Sequence, residues 1–429
     1  MQKYVLWLVD YIKKLESKIA FYPTVFSVIG IVFAFIMYYA ENNGISGYIL
    51  KYFPALVINN TDTALNILTT FIAGLISIMV FSFSMVMILL SQASSNFSPR
   101  LLPGLISNRR HQKILGIYIA SLLYCIFTLI SIEPTGDSYQ LPGFSVLFAI
   151  IFMITCLGAF IYFIHSMSQE IQVHNIMERI YADAKYRLEK LLNTEKENID
   201  NLSFPDSDNW ELITSNRSGF LQTINFDIIS KIAQECDNRF EVVAIKGNFI
   251  HLDQVLYKVE KPLDKEQQEL IEDAFLFSRD EIISDNYILA FKQLTEVAVK
   301  AMSPGINDPG TAIIAIDYLT ELFSLRSSKS DESYVTKDNK ALIKIHTVSF
   351  ENLMYYCNSA LRTYVKHDVI MVLKILDMFY YLINNVTYSA YQKIISTQIE
   401  VLLNDAKSSI NNQNDLEVIK TKADAILNN

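Results

Sequence analysis

The chain has 429 residues, enough for two or three folding units, and its positive mean hydropathy departs from the usage of soluble proteins. A net charge of −9 excludes a broadly basic, nucleic-acid-binding surface. The cysteines, at positions 125, 156, 236 and 357, are too dispersed for a disulfide framework or a zinc knuckle.

Residues 1–18 read as an amphipathic segment carrying Lys3, Lys13, Lys14 and Lys18, with no small-residue cleavage site after it, so the first apolar run is expected to be retained. Ile19–Ala40, Thr63–Pro99, Ile114–Ser131 and Ser138–Gln169 then contain no Asp, Glu, Lys or Arg. A run of about 20 apolar residues crosses a hydrocarbon core of about 30 Å, whereas a lone charge there is costly. These runs predict a transmembrane domain over residues 19–165 with helices near 19–40, 64–90, 113–132 and 141–165. Arg100, Arg109, Arg110 and Lys113 crowd the link between the second and third helices, while the link from Glu133 to Asp137 has no basic residue. Basic residues stay on the cytoplasmic side, which places both termini in the cytoplasm.

As a helix, the second run would measure about 55 Å, so its end must project from the bilayer. Gly74, Ser77, Ser84, Ser91 and Ser95 recur along it at near-heptad spacing and share one face. Two readings of this stripe stay open: small residues that let helices pack closely, or the lining of a conduit formed by several copies. Below it, Ser98 before Pro99 is expected to cap an interfacial helix, with Arg100, Arg109 and Arg110 facing lipid phosphates or a pore mouth.

Residues 166–195 continue as an amphipathic stalk helix, with Ile176, Ile180, Ala184 and Leu188 at helical spacing. A polar linker precedes a small β-rich module at 210–262, where short alternating runs flank a helix at Phe226–Cys236 and Gly247-Asn248 forms a turn. Val242–Val259 has the cadence of a biotinyl- or lipoyl-type sandwich, without a lysine attachment signal. Residues 263–429 are expected to form a helical cytoplasmic domain, with a polar loop at Ser327–Lys340. The fold class is therefore a mainly α membrane protein: four transmembrane helices followed by a cytoplasmic α+β region.

Ser303-Pro304-Gly305-Ile306-Asn307-Asp308-Pro309-Gly310-Thr311-Ala312 separates two strong helices. Asp308 before Pro309 is a favoured helix start, so a tightly specified helical hairpin is one reading. A ligand or subunit-contact site built from Ser303, Asn307, Asp308 and Thr311 is the other. The six histidines show no paired metal-ligand spacing, and neither a phosphate-binding glycine loop nor a nucleophile elbow is present. No catalytic residue, metal site or cofactor is expected.

The serine-bearing segment SQASSNFSPR (Ser91–Arg100), the stretch Gly219–Asn225, the Gly247–Leu252 turn and AMSPGINDPGTA (Ala301–Ala312) resemble a bacterial family of predicted membrane proteins, domain of unknown function 2254. The resemblance spans nearly the whole chain and implies a bacterial cell (inner) membrane, with no established activity to transfer. Asn225 stands where the family tends to have an acid, and Leu252-Asp253 where it has a glycine region. Three functions follow as expectations. The first is a homo-oligomeric channel or transport-related assembly with a cytoplasmic vestibule, for an ion or small ligand not identified by the sequence. The second is a membrane-anchored sensor or scaffold using the 303–312 loop, and the third is a membrane enzyme. The partners expected are the lipid bilayer and further copies of the chain, and no nucleic acid.

Overall fold

A computed structural model describes residues 20–52, 57–58, 60–96, 109–132, 142–170, 172–196, 204–279, 286–337 and 340–428. The chain divides into two compact units, one up to Gln172 and one from Val173. The amphipathic segment 1–18, Ser98 and Arg100 lie outside the described residues.

The first unit is helical: α1 (Phe21–Asn42), α2 (Ile45–Tyr52), α3 (Thr61–Asn96), α4 (Arg109–Ile130) and α5 (Gly143–Glu170). Helices α1, α3, α4 and α5 are each long and apolar enough to cross a membrane, as the uncharged runs require. Small residues set how closely they approach. A side chain at Gly30 of α1 would sit 2.7 Å from the Ala120 carbonyl oxygen of α4, and one at Gly116 of α4 would meet the Phe26 ring. The bundle interior is aromatic, with Phe33 against Tyr124, Phe148 and Phe152. Helix α3 starts at Asn60, whose side chain accepts from the Thr63 amide at 2.8 Å. Its 36 residues extend about 54 Å.

The start of α5 is held by a carboxylate from the end of α1. Glu41 accepts from the Ser145 amide at 2.8 Å, the Ser145 hydroxyl at 2.9 Å and the Ser46 hydroxyl at 2.6 Å. Ser46 in turn accepts from the Phe144 amide at 2.9 Å. A helix begins with unsatisfied N–H groups and a positive dipole end, so an anion here meets both needs.

The second unit begins with α6 (Val173–Lys196), followed by two sheets and eight further helices among the described residues: α7 (Phe226–Glu235), α8 (Lys265–Ala274), α9 (Tyr287–Ala301), α10 (Pro309–Ser327), α11 (Phe350–Val365), α12 (Val369–Asn385), α13 (Ser389–Ser409) and α14 (Gln413–Leu427). One sheet has the order β1-β5-β3-β8-β7, the other β4-β2-β6. Their strands are β1 (Glu211–Thr214), β2 (Gly219–Ile224), β3 (Phe240–Val242), β4 (Phe249–Ile250), β5 (Val255–Val259), β6 (Phe275–Ser278), β7 (Glu332–Lys337) and β8 (Lys340–His346).

Two expectations change at this level. The segment expected as a stalk is covered: Ile176, Met177, Ile180, Ala184 and Leu188 of α6 are buried, and α6 packs on α9 and α10. The segment expected as a polar loop at Ser327–Lys340 instead contains strand β7, which pairs with β8. β8 then lies parallel to β3, pairing Phe240 with Ile343 and Val242 with Ile345. The strand-bearing region is thus not confined to residues 210–262. Alternation in Lys340–His346 puts Ala341 and Ile343 inside, the pattern of a half-buried strand.

The two family departures both fit local geometry. Asn225 caps α7, its side chain accepting from the Asp227 and Ile228 amides, a role Asn fills as well as Asp. Asp253 has φ 61°, in the left-handed region that favours glycine and that Asp enters more readily than most residues.

Candidate functional site

On α3, Ala64, Leu68, Leu75 and Ser82 are buried. At 100° per residue, Ser77, Ser84 and Ser91 lie roughly on the opposite side of the helix, and all are exposed. The Ser77 hydroxyl donates to the Ala73 carbonyl at 2.9 Å, which satisfies it within its own helix. Gly74 is set apart from these serines, because a side chain there would touch Met153 of α5. Of Ser95 only the helical backbone is described. Thr63, Asn66, Thr70 and Ala73 extend the same exposed stripe toward the start of the helix, a continuation that its small and polar residues make legible in the sequence. Arg109 and Arg110 open α4 as exposed residues.

The 303–312 segment is a helical hairpin. The Ser303 hydroxyl donates to the Lys300 carbonyl at 2.7 Å, and the Ser303 carbonyl accepts from the Asn307 amide at 3.0 Å. Asn307 turns the chain with φ 49°. Asp308 caps α10, accepting from the Thr311 amide at 3.1 Å and the Thr311 hydroxyl at 2.6 Å. These bonds to Thr311 hold its carboxyl below the usual range. Asn307 and Asp308 are exposed, while Ser303 and Thr311 are half-buried. The polar groups of the motif are largely spent on its own backbone.

Sequence reasoning did not single out three polar clusters that hold the second unit together. Glu241 of β3, 3% exposed, faces Ser207 at 2.6 Å, His346 Nε2 at 2.7 Å and Lys258 Nζ at 2.9 Å. Burial would raise its pKa, but these three partners prevail and hold it at about 2. Arg326 of α10, 0% exposed, donates to the carbonyls of Lys329 at 2.9 Å and Val348 at 3.0 Å and pairs with Asp331. Lys329, also buried, donates to the Ser330 carbonyl at 3.0 Å and the Ser333 hydroxyl at 2.7 Å. The partners of Glu241 come from distant positions, and those of Arg326 and Lys329 are partly backbone carbonyls, which no side-chain pattern announces.

An open cavity of about 530 Å³ is lined by Tyr181, Asp317, Glu321, Lys374 and Asp377, among others. Its charges are internally matched: Lys374 pairs with Asp317, Tyr181 donates to Glu321, and Lys422 pairs with Asp377. A second cavity, of about 410 Å³, opens among α6, the β7–β8 hairpin and the start of α9. Among the described residues, no group of three or more His, Cys, Asp or Glu is placed to hold a metal ion.

Comparison with known proteins adds relatives whose own roles are not assigned. The chain is 22% identical over 351 residues to the uncharacterized proteins Mb1321c of Mycobacterium bovis and Rv1290c of Mycobacterium tuberculosis, covering 79% of this chain and 67% of each relative. No solved structure matches. The family model described as "Predicted membrane protein (DUF2254)" matches residues 16–381, and with its apolar helices and the AMSPGINDPGTA hairpin the chain belongs to that family.

Proposed function

We propose that the protein works as a homo-oligomeric, channel- or transport-type assembly of the bacterial inner membrane, with both termini cytoplasmic, in which the serine face of α3 borders a central axis. The observation that supports this reading is the exposure of Ser77, Ser84 and Ser91 on the side of α3 turned away from its own bundle. Lipid gives hydroxyl groups no reason to line one face, whereas a neighbouring helix or an axial water column does. The overlong α3 fits an element that continues beyond the hydrocarbon layer.

Disulfide trapping tests the contact between copies. Cysteines introduced singly at Ser77, Ser84 and Ser91 should cross-link copies in membranes under mild oxidation, and Ser82→Cys, on the buried face, should not. Planar-bilayer recording then tests the axis: purified protein should conduct, and Ser84→Trp should reduce conductance by at least about tenfold, as an aromatic constriction dewets a narrow pore. Absence of cross-links at all three positions, or silence under voltage, tension and varied pH, would sink the proposal.

A further inference from the structure

The 410 Å³ cavity of the second unit is lined mainly by apolar groups, and its ionisable side chains are basic ones and tyrosines. Its walls are built by Leu191, Ile224, Phe226, Ala244, Ile288 and Ile345, contributed by α6, both sheets or the turns beside them, and the starts of α7 and α9. Around these apolar groups stand Arg187, Lys190, Lys246, Lys329 and His346, and no Asp or Glu occurs among the described lining residues. The volume falls within the range of small-molecule sites, roughly 300–1,000 Å³.

Two features of the wall are built in rather than solvated by chance. Lys329 is 2% exposed, so its ammonium is fixed in the protein, donating to Ser330 and Ser333. A lysine at the surface would instead spread its charge over many positions. The cavity also receives the first turn of α9, whose Asn286 cap accepts from the Ile288 amide at 3.0 Å. The positive end of a helix 15 residues long is therefore presented beside the lysine. His346 is already engaged by Glu241 at 2.7 Å and contributes shape more than charge.

We propose that this cavity binds a small amphiphilic anion, a carboxylate or phosphate monoester with an apolar body. The apolar wall takes the body, and Lys329 with the start of α9 faces the head group. A cationic ligand is disfavoured by the positive charges of Arg187, Lys190, Lys246 and Lys329 along the lining. The site is independent of the assembly proposed above, since every lining residue belongs to the second unit of a single chain.

The test uses the full chain in nanodiscs, because a positional readout separates this site from dissolution of the probe in lipid. A diazirine-bearing dodecanoic acid is photolysed, and adducts are mapped by peptide mass spectrometry with dodecanoate, dodecyl phosphate and dodecanol as competitors. Adducts are expected within residues 187–191, 224–226, 244–246 and 286–288. They should be competed by one or both anions at concentrations about tenfold or more below dodecanol, the loss expected when a charged hydrogen-bonding head is removed. Which anion competes better identifies a carboxylate or a phosphate source. Ala244→Phe, which fills the cavity, should abolish these adducts while adducts in the membrane-spanning helices persist as an internal control. Ile345→Trp repeats the test from the opposite wall should the first variant fold poorly. Adducts confined to residues 21–169, equal competition by dodecanol, or adducts that survive a well-folded filling variant would each overturn the assignment.

Discussion

Glu41 and Glu241 illustrate two ways in which one carboxylate organises distant chain segments. Glu41 compensates the start of α5 through Ser145 and, by way of Ser46, Phe144. Glu41→Ala should lower the unfolding stability of the purified protein by about 2 kcal/mol, the cost of stranding partly buried donors. Thermal unfolding in detergent measures this directly, and an unchanged midpoint would remove Glu41 from that role. Glu241 acts across a sheet, where Lys258, His346 and Ser207 converge on it. Its pKa is depressed to about 2 in the folded protein. The linked stability is therefore fully present above the ordinary carboxylate range and is lost as pH falls from that range through about 2. Glu241→Gln should be less stable near neutral pH and show a flatter loss of stability across that acid window. A parallel acid profile for both proteins would contradict the assignment.

Among the elements, the α9–α10 hairpin was the most legible, because proline, glycine and a capping acid write their consequences into neighbouring residues. Asp308→Ala should cost about 1 kcal/mol, the usual worth of a helix cap, whereas Asn307→Gly should be neutral or mildly stabilising because Asn307 already turns with positive φ. Chemical denaturation of the two variants distinguishes them, and equal losses would mean that the turn is held by other contacts. The spanning helices were legible for a cruder reason, since oil tolerates no unpaired charge over so many residues. Strand β7 was hidden behind polar composition. Tyr334, Val335 and Thr336 are only partly buried, so half of the pattern that marks a strand was missing. The cavity was the least legible feature, because Arg187, Ala244, Ile288 and Lys329 are far apart along the chain and meet only through the folded sheets and helices.

For the whole molecule, the positive-inside reading predicts that residues beside Arg109 and Arg110 face the cytoplasm. A cysteine at position 109 should resist an impermeant maleimide in intact cells and react after permeabilisation, and labelling before permeabilisation would reverse the topology. Chain connectivity within the second unit carries another consequence. β3 and β8 are sheet neighbours, yet α8, α9 and α10 are all synthesised between them. During translation, β3 has its β5 neighbour long before β8 leaves the ribosome, so its other edge stays open while nearly 100 residues are added. An unpaired edge held open for that interval is a template for pairing with the wrong chain. Nascent chains arrested just before Ala341 should therefore recruit holdase chaperones and form mixed aggregates, and chains released beyond His346 should not.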